Sequence, residues 1–254
     1  MSAPRTFARR IVLRLDPARP HAGALARAMQ LATAFHAELA ARMISDTRFA
    51  AAAVLAGISG QGDFDRSIET QLRRAETSLR RALTALASSE HTAWSFEVVR
   101  CAGILAQECT MSSGDLVAIE LPGFEISIAE LRAEVADTLT HARGVILLPS
   151  AAQTTQGPVV AIIGDRKASN WLIEDSRQIA EALGVPLKRL EHDGQIGPAE
   201  QERREAGDIA TAVRRLGATL AVVDAANPIV NELLARPRYL RELGTPLLLL
   251  KSGG

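Results

Sequence analysis

The residues best able to do chemistry are few and scattered. The five histidines, His21, His36, His91, His141 and His192, form no HxH, HExxH or His/Cys spacing, so they offer no metal site. Cys101 and Cys109 form no CxxC pair and read as inert, buried thiols. Gly57, Ile58 and Ser59 are followed by Gly60 and Gln61, which breaks the GxSxG pattern of a nucleophile elbow, and Ser112, Ser113 and Gly114 sit in a context that fits no phosphate-cleaving loop. Gly57, Gly60 and Gly62 run in the reverse order of GxGxxG with no strand before them; they read as a surface loop, with a lid over a sheet edge as the alternative. Glu130, Glu134 and Asp137 stand at helical spacing, which could hold a cation but commonly marks a solvated face. No acid, base and nucleophile converge, so catalytic residues and metal ligands are both expected to be absent.

Asp16 is the exception. It closes the run RIVLRLD at the carboxyl end of a strand, where open α/β sheets bind ligands. It is either a ligand contact or, with Pro17, the cap of the following turn.

The elements that position these residues follow from apolar periodicity. Residues 10–16 read as a strand, 21–36 as a helix through Leu25, Met29, Leu31, Ala32 and Phe35, and 39–45 as a second strand. A βαβ start implies a parallel sheet. Residues 48–64 are Ala/Gly-rich and read as a loop. Asp65 then stands as the N-cap of a long helix, because Ile68, Leu72, Ala75, Leu79, Leu83 and Leu86 recur at spacings of three and four. Trp94, Phe96 and Val98 alternate as in a strand, 104–109 suits a short helix, 115–119 (DLVAI) a buried strand, 128–142 a helix and 144–148 a strand.

After the uncharged stretch SAAQTTQG at 150–157, the pattern resumes. Strands are expected at 159–163, 186–190, 219–223 and 246–250. Helices are expected at 169–183, through Ile209, Ala212, Val213 and Leu216, and at 229–243 with a break at Pro237. Only 28 residues separate Leu190 from Thr219.

Composition removes several functional classes. The 254 residues are 47% hydrophobic and 23% charged, which is globular rather than disordered or fibrous. Lys+Arg 29 against Asp+Glu 29 gives no overall field toward nucleic acid or an anionic membrane. Arg203, Arg204, Arg214, Arg215, Arg236, Arg238 and Arg241 make the second half locally basic. Glu202, Glu205, Glu232 and Glu242 offset that charge, and Tyr239 is the lone nearby aromatic, so no nucleic-acid partner is expected. No apolar h-region or membrane-length run is present, and the two cysteines form no disulfide framework; a cytoplasmic setting with no membrane partner is expected.

The order of these segments resembles tandem universal stress protein (UspA-like) domains. The first half carries the likeness in IVLRLD, in Ala37, Glu38 and Leu39 after the first helix, in FEVV at 96–99, DLVAI at 115–119 and the closing GVILLP. The second carries it in VVAIIGD, in LGVPL at 183–187, GATLAVV at 217–223 and TPLLLL at 245–250. The resemblance implies two flavodoxin-like open parallel sheets with helices on both faces, residues 1–150 as domain 1, 151–157 as linker and 158–254 as a shortened domain 2. It also implies a helix, a strand and a further helix between Leu190 and Thr219, for which 28 residues are too few, so the second half should lack its third strand and its exposed edge should be covered by the other half or by the polar segment 192–201. It further implies pairing of the two through their last strands, as a pseudo-dimer.

ATP-binding members of that family carry a G-x2-G-x9-G-(S/T) signature after the fourth strand, where amides cradle phosphates. Neither half has it: the first reads Glu120, Leu121, Pro122, Gly123 and the second Asp224, Ala225, Ala226, Asn227. The resemblance thus implies a non-catalytic, stress-related regulatory or interaction protein with a degenerate nucleotide site, no required cofactor, and a protein partner or self-association. A small anionic ligand could bias it. The alternative is an ATP/ADP switch using a non-standard adenine pocket near Asp16, Ile44, Ile119 and Gly123. An enzyme of the wider adenine-binding α/β superfamily is the weaker alternative.

Overall fold

Nine strands form one sheet in the order β3-β2-β1-β4-β5-β9-β8-β6-β7, and every neighbouring pair is parallel except β5 with β9. The strands are β1 (Arg10–Leu15), β2 (Glu38–Asp46), β3 (Trp94–Cys101), β4 (Asp115–Glu120), β5 (Gly144–Leu148), β6 (Val159–Ile163), β7 (Leu187–Glu191), β8 (Leu220–Asp224) and β9 (Leu247–Leu250). The computed structural model describes residues 7–15, 21–46, 61–101, 111–121, 128–149, 156–164, 170–191 and 199–252. Helices are α1 (Ala22–Ala34), α2 (Gln61–Glu90), α3 (Ile128–His141), α4 (Asn170–Leu183), α5 (Ala199–Arg215), α6 (Pro228–Ala235) and α7 (Pro237–Leu243).

The first five strands have the order 3-2-1-4-5. The last four repeat it from the other side, with β6, β7, β8 and β9 in the places of β1, β2, β4 and β5. No described strand in the second half takes the place of β3, as the short interval between Leu190 and Thr219 predicts. The sheets of the two halves are continuous rather than merely adjacent. The first half joins at β9, and none of its described strands pairs with the outer edge of β7, contrary to one of the two expected covers. Of the other, the polar segment 192–201, residues 192–198 lie outside the described residues, as does the expected helix at 104–109, and residues 199–201 open α5 rather than continue a loop.

Each face of the sheet carries its own core, and both cores run across the junction. On one face α1, α2 and α4 cover Leu13, Leu39, Leu116, Ile146, Leu220 and Leu248; on the other α3, α5, α6 and α7 cover Val117, Val145, Val160, Val223 and Leu249. Central strands buried on both faces have no reason to alternate, which is why β5 (GVILL) and β9 (LLLL) are apolar throughout. A fully buried leucine contributes roughly 1.5–3 kcal/mol. The four leucines of β9, each at most 1% exposed, therefore outweigh any single ion pair in holding the halves together.

Helix boundaries mostly follow the periodicity, and the exceptions have local causes. α2 begins at Gln61, within the stretch expected to be loop and four residues before the expected cap at Asp65. An aspartate is favoured at a cap but is also accommodated past the first turn, as the fifth residue of α2 is, so it does not by itself fix the boundary. Pro237 divides the 229–243 segment into α6 and α7, as its missing N–H requires. α1 and α4 end alike: Ala37 N–H donates to Ala32 O at 2.9 Å and Val185 N–H to Ala180 O at 3.0 Å. His36 takes the left-handed position with φ 52° where α4 uses Gly184, the residue that adopts it without strain.

Asp115 sets the register between β1 and β4. Its side chain is fully buried and takes a two-pronged contact from Arg10, Nε to Oδ1 at 3.1 Å and Nη2 to Oδ2 at 2.5 Å, while Ser112 N–H donates to Oδ2 at 3.0 Å. Burial alone would raise this carboxyl; Arg10 and Ser112 outweigh it and hold it below the ordinary carboxylate range. Sequence analysis gave Asp115 no role, because one aspartate at a strand start carries no periodic signal.

Two outcomes are expected. Asp115→Asn should destabilise the protein by about 1–3 kcal/mol at neutral pH, since it removes the charge-assisted two-pronged contact with the partly exposed Arg10. Because the folded pKa lies below the unfolded value, the wild-type contribution is complete above the unfolded pKa and disappears as pH falls through the folded one. Urea titrations of both proteins at neutral and acid pH should therefore converge on acidification. Gly144→Ala would bring a Cβ to 2.6 Å from Leu249 O, in the β5–β9 junction. It should cost roughly 1–3 kcal/mol of stability, read as a lower urea midpoint.

Candidate functional site at the carboxyl edge

The strand order reverses between β1 and β4, and in open α/β sheets ligands lie outside the carboxyl ends of the strands at such a point. Three described residues define it. β1 ends at Leu15, α1 begins after His21, and β4 ends at Glu120. His21 is the residue preceding α1; its side chain makes no capping bond to the helix, and its carbonyl accepts from Leu25 N at 2.8 Å. The imidazole instead meets Glu120, Nδ1 to Oε2 at 2.5 Å, with side-chain exposures of 2% and 13%. This pair ties the start of α1 to the end of β4 across the switch point.

Of the residues expected to line an adenine pocket, Asp16 and Gly123 lie outside the described residues. Ile44 is half-buried on β2, and Ile119 is buried on β4. Both stand on the α3 side of the sheet, given the alternation of Ala40 and Val117 into that core. β1 runs between them. There Arg14, the register partner of both Arg42 and Ile119, meets Glu134 of α3 at 2.7 Å, with the two side chains 9% and 11% exposed. Glu134 therefore does not belong to a solvated face, as its helical spacing with Glu130 and Asp137 suggested. Burial pushes its carboxyl up, and the Arg14 charge only partly opposes this. Sequence spacing missed the pair because the partners are far apart in the chain. Among the described residues no group of three or more His, Cys, Asp or Glu side chains is placed to hold a metal ion.

The second half has its own switch point, between β6 and β8. Since β5 and β9 are antiparallel, the two halves point their carboxyl ends to opposite edges of the sheet. The end of β8 matches that of β4: Ala225 N–H donates to Leu250 O at 2.7 Å, as Leu121 N–H does to Leu148 O at 2.7 Å. Asp224 occupies the place of Glu120 and accepts from Ala226 N at 2.9 Å. Asn227 caps α6, its Oδ1 accepting from Ile229 N at 3.0 Å, and Pro228 removes another donor. The amides that would cradle a phosphate at this helix start are thus engaged by the chain itself or absent.

Basic side chains concentrate elsewhere. A shallow depression of about 590 Å³ on α2 is lined by Thr70, Arg73, Arg74, Thr77, Ser78 and Arg81, none of which belongs to either switch point. Arg73 is engaged by Glu69 at 3.2 Å.

Comparison with known proteins agrees with this topology. No family model matches the sequence, and no curated protein does. Among solved structures, a universal stress protein from Archaeoglobus fulgidus DSM 4304 superposes with a TM-score of 0.57 at 10% identity, covering 96% of this chain and 97% of that one. The fold is that of a universal stress protein. At this identity the likeness concerns the fold alone, and it spans almost the full length of both chains.

Glu120→Ala would leave His21 buried without its carboxylate. It is expected to lower stability by roughly 1–3 kcal/mol, measured by urea denaturation. Glu120→Gln, which still accepts a hydrogen bond, should recover most of the loss.

Proposed function

We propose that this chain is a non-catalytic, stress-related regulatory or interaction protein with the universal stress protein fold, whose nucleotide site has been given over to structure. The observation that carries the reading is the His21–Glu120 pair, which sets a buried imidazole and a carboxylate at the first switch point. A carboxylate there opposes a phosphate by like charge. The self-capped start of α6 supports the same conclusion for the second half. On this reading the protein acts in the cytoplasm by presenting a surface to a protein partner. It needs no cofactor, and it acts on neither nucleic acid nor membrane. Among the described residues no helix is long and apolar enough to cross a membrane.

A second reading has one observation in its favour. Ile44 and Ile119 share a sheet face on either side of β1, which suits an adenine ring packed at the strand ends with Asp16 and Gly123 completing the pocket. That protein would be an ATP/ADP switch held by base packing rather than by a phosphate loop. An enzymatic reading lacks comparable support, because a His–Glu pair can orient a base but needs a substrate-facing partner to act on.

Thermal melting with and without millimolar ATP, ADP and AMP, with mass spectrometry of any small molecule released on denaturation, separates the first two. The regulatory reading predicts unchanged melting and no released nucleotide. A ligand present at about 100 times its dissociation constant would add about 2.7 kcal/mol, so a clear upward shift or a recovered adenine nucleotide would sink it and leave the switch in its place.

A further inference from the structure

The second half differs from the first in one architectural respect. β2 has β3 on its outer side, whereas no described residue pairs with the outer side of β7, the strand in the equivalent place. An open edge of this kind templates another strand unless its side chains forbid it. Uniform positive charge is the usual prohibition, but β7 reads LKRLE, with Arg189 and Glu191 on one face and Lys188 and Leu190 on the other. Lys188, Arg189 and Glu191 are exposed, and Leu190 is half-buried on the core under α5.

We propose that the outer edge of β7 is a self-association surface, pairing antiparallel with β7 of a second copy to continue the sheet across a two-fold axis. The symmetry restricts the register. An axis perpendicular to the sheet keeps each residue on its own face, so opposite residues must share parity along the strand. Centring on Lys188 or Arg189 sets like charges directly opposite one another. Centring on Glu191 does the same with carboxylates. Centring on Leu190 sets Leu190 against its own copy on one face, and on the other sets Arg189 against Glu191 of the second copy twice over. Opposite charges across a strand pair stabilise it and like charges oppose it, so of these four centres only Leu190 sets opposite charges together and no like charges against each other within β7. The surface is independent of the switch points, and its fate says nothing about nucleotide binding.

The test is sedimentation velocity of the full chain over a wide concentration range. A concentration-dependent species of about twice 27.1 kDa is expected for the wild type. Arg189→Glu and Glu191→Arg should each weaken association by roughly tenfold or more, and the double exchange R189E/E191R should restore it, since the pairs are re-formed with their signs reversed. Circular dichroism and melting of each variant check that it folds. Directly opposite residues in an antiparallel pair lie about 4.5–5.5 Å apart at Cα, so Leu190→Cys should cross-link under mild oxidation whereas Lys188→Cys should not. A wild type that stays monomeric, a dimer unmoved by either single reversal, a double exchange that fails to restore it, or cross-linking at 188 but not at 190 would each overturn the proposal.

Discussion

The antiparallel pairing of β5 with β9 is the constraint on which the rest of the molecule depends. It places Gly144 opposite Leu250 and Leu147 opposite Leu247, deep in the middle of a nine-stranded sheet. From that register follows which helices meet: α1 lies beside α4 on one face, and α3 beside α6 on the other. Polar contacts then cross the junction where the backbone has been brought close. Arg143 reaches Asp175 at 3.0 Å, donates to Phe7 O at 2.6 Å and lies over the Phe7 ring, while Lys251 Nζ reaches Leu139 O at 3.0 Å. Arg27 on α1 donates to Thr219 O just before β8, in surroundings buried enough to lower its pKa. These bonds orient a junction that apolar burial holds.

The same constraint decides what the two switch points can share. A single antiparallel seam inside an otherwise parallel sheet sends the carboxyl edges of the halves to opposite sides, so no ligand of ordinary size can touch both. Each half must satisfy its own edge, and they do so differently. The first closes with a long-range side-chain pair, His21 to Glu120; the second closes with local turn chemistry at Asp224 and Asn227.

Much of the architecture was legible in the chain. Runs such as DLVAI, GVILL and VVAII announce strands buried on both faces, and the short interval after Leu190 agrees with the absence of a described strand beyond β7. The edge strand β7 leaves a trace in the sequence too, since three of the five residues in LKRLE are charged. The site was much less so. His21 and Glu120 are 99 residues apart, Arg14 and Glu134 farther still, and neither pair leaves a spacing signal. Glu134 was misread for that reason: helical periodicity shows which residues share a face but not whether an arginine from the sheet buries one of them. A charged residue inside an apolar strand, as Arg14 is in RIVLRL, was the one available hint that a counter-charge must be waiting on a packed helix.

The seam also has a consequence in time. β5 and its partner β9 are separated by about a hundred residues, so during synthesis the apolar strand GVILL is complete long before LLLL exists. At about 5–20 residues per second, an unpaired, all-apolar edge persists for roughly 5–20 s on each ribosome. Neighbouring nascent chains carry the same edge. For that interval the first half carries an apolar edge open to another copy of itself, and β9 is the strand that removes the hazard.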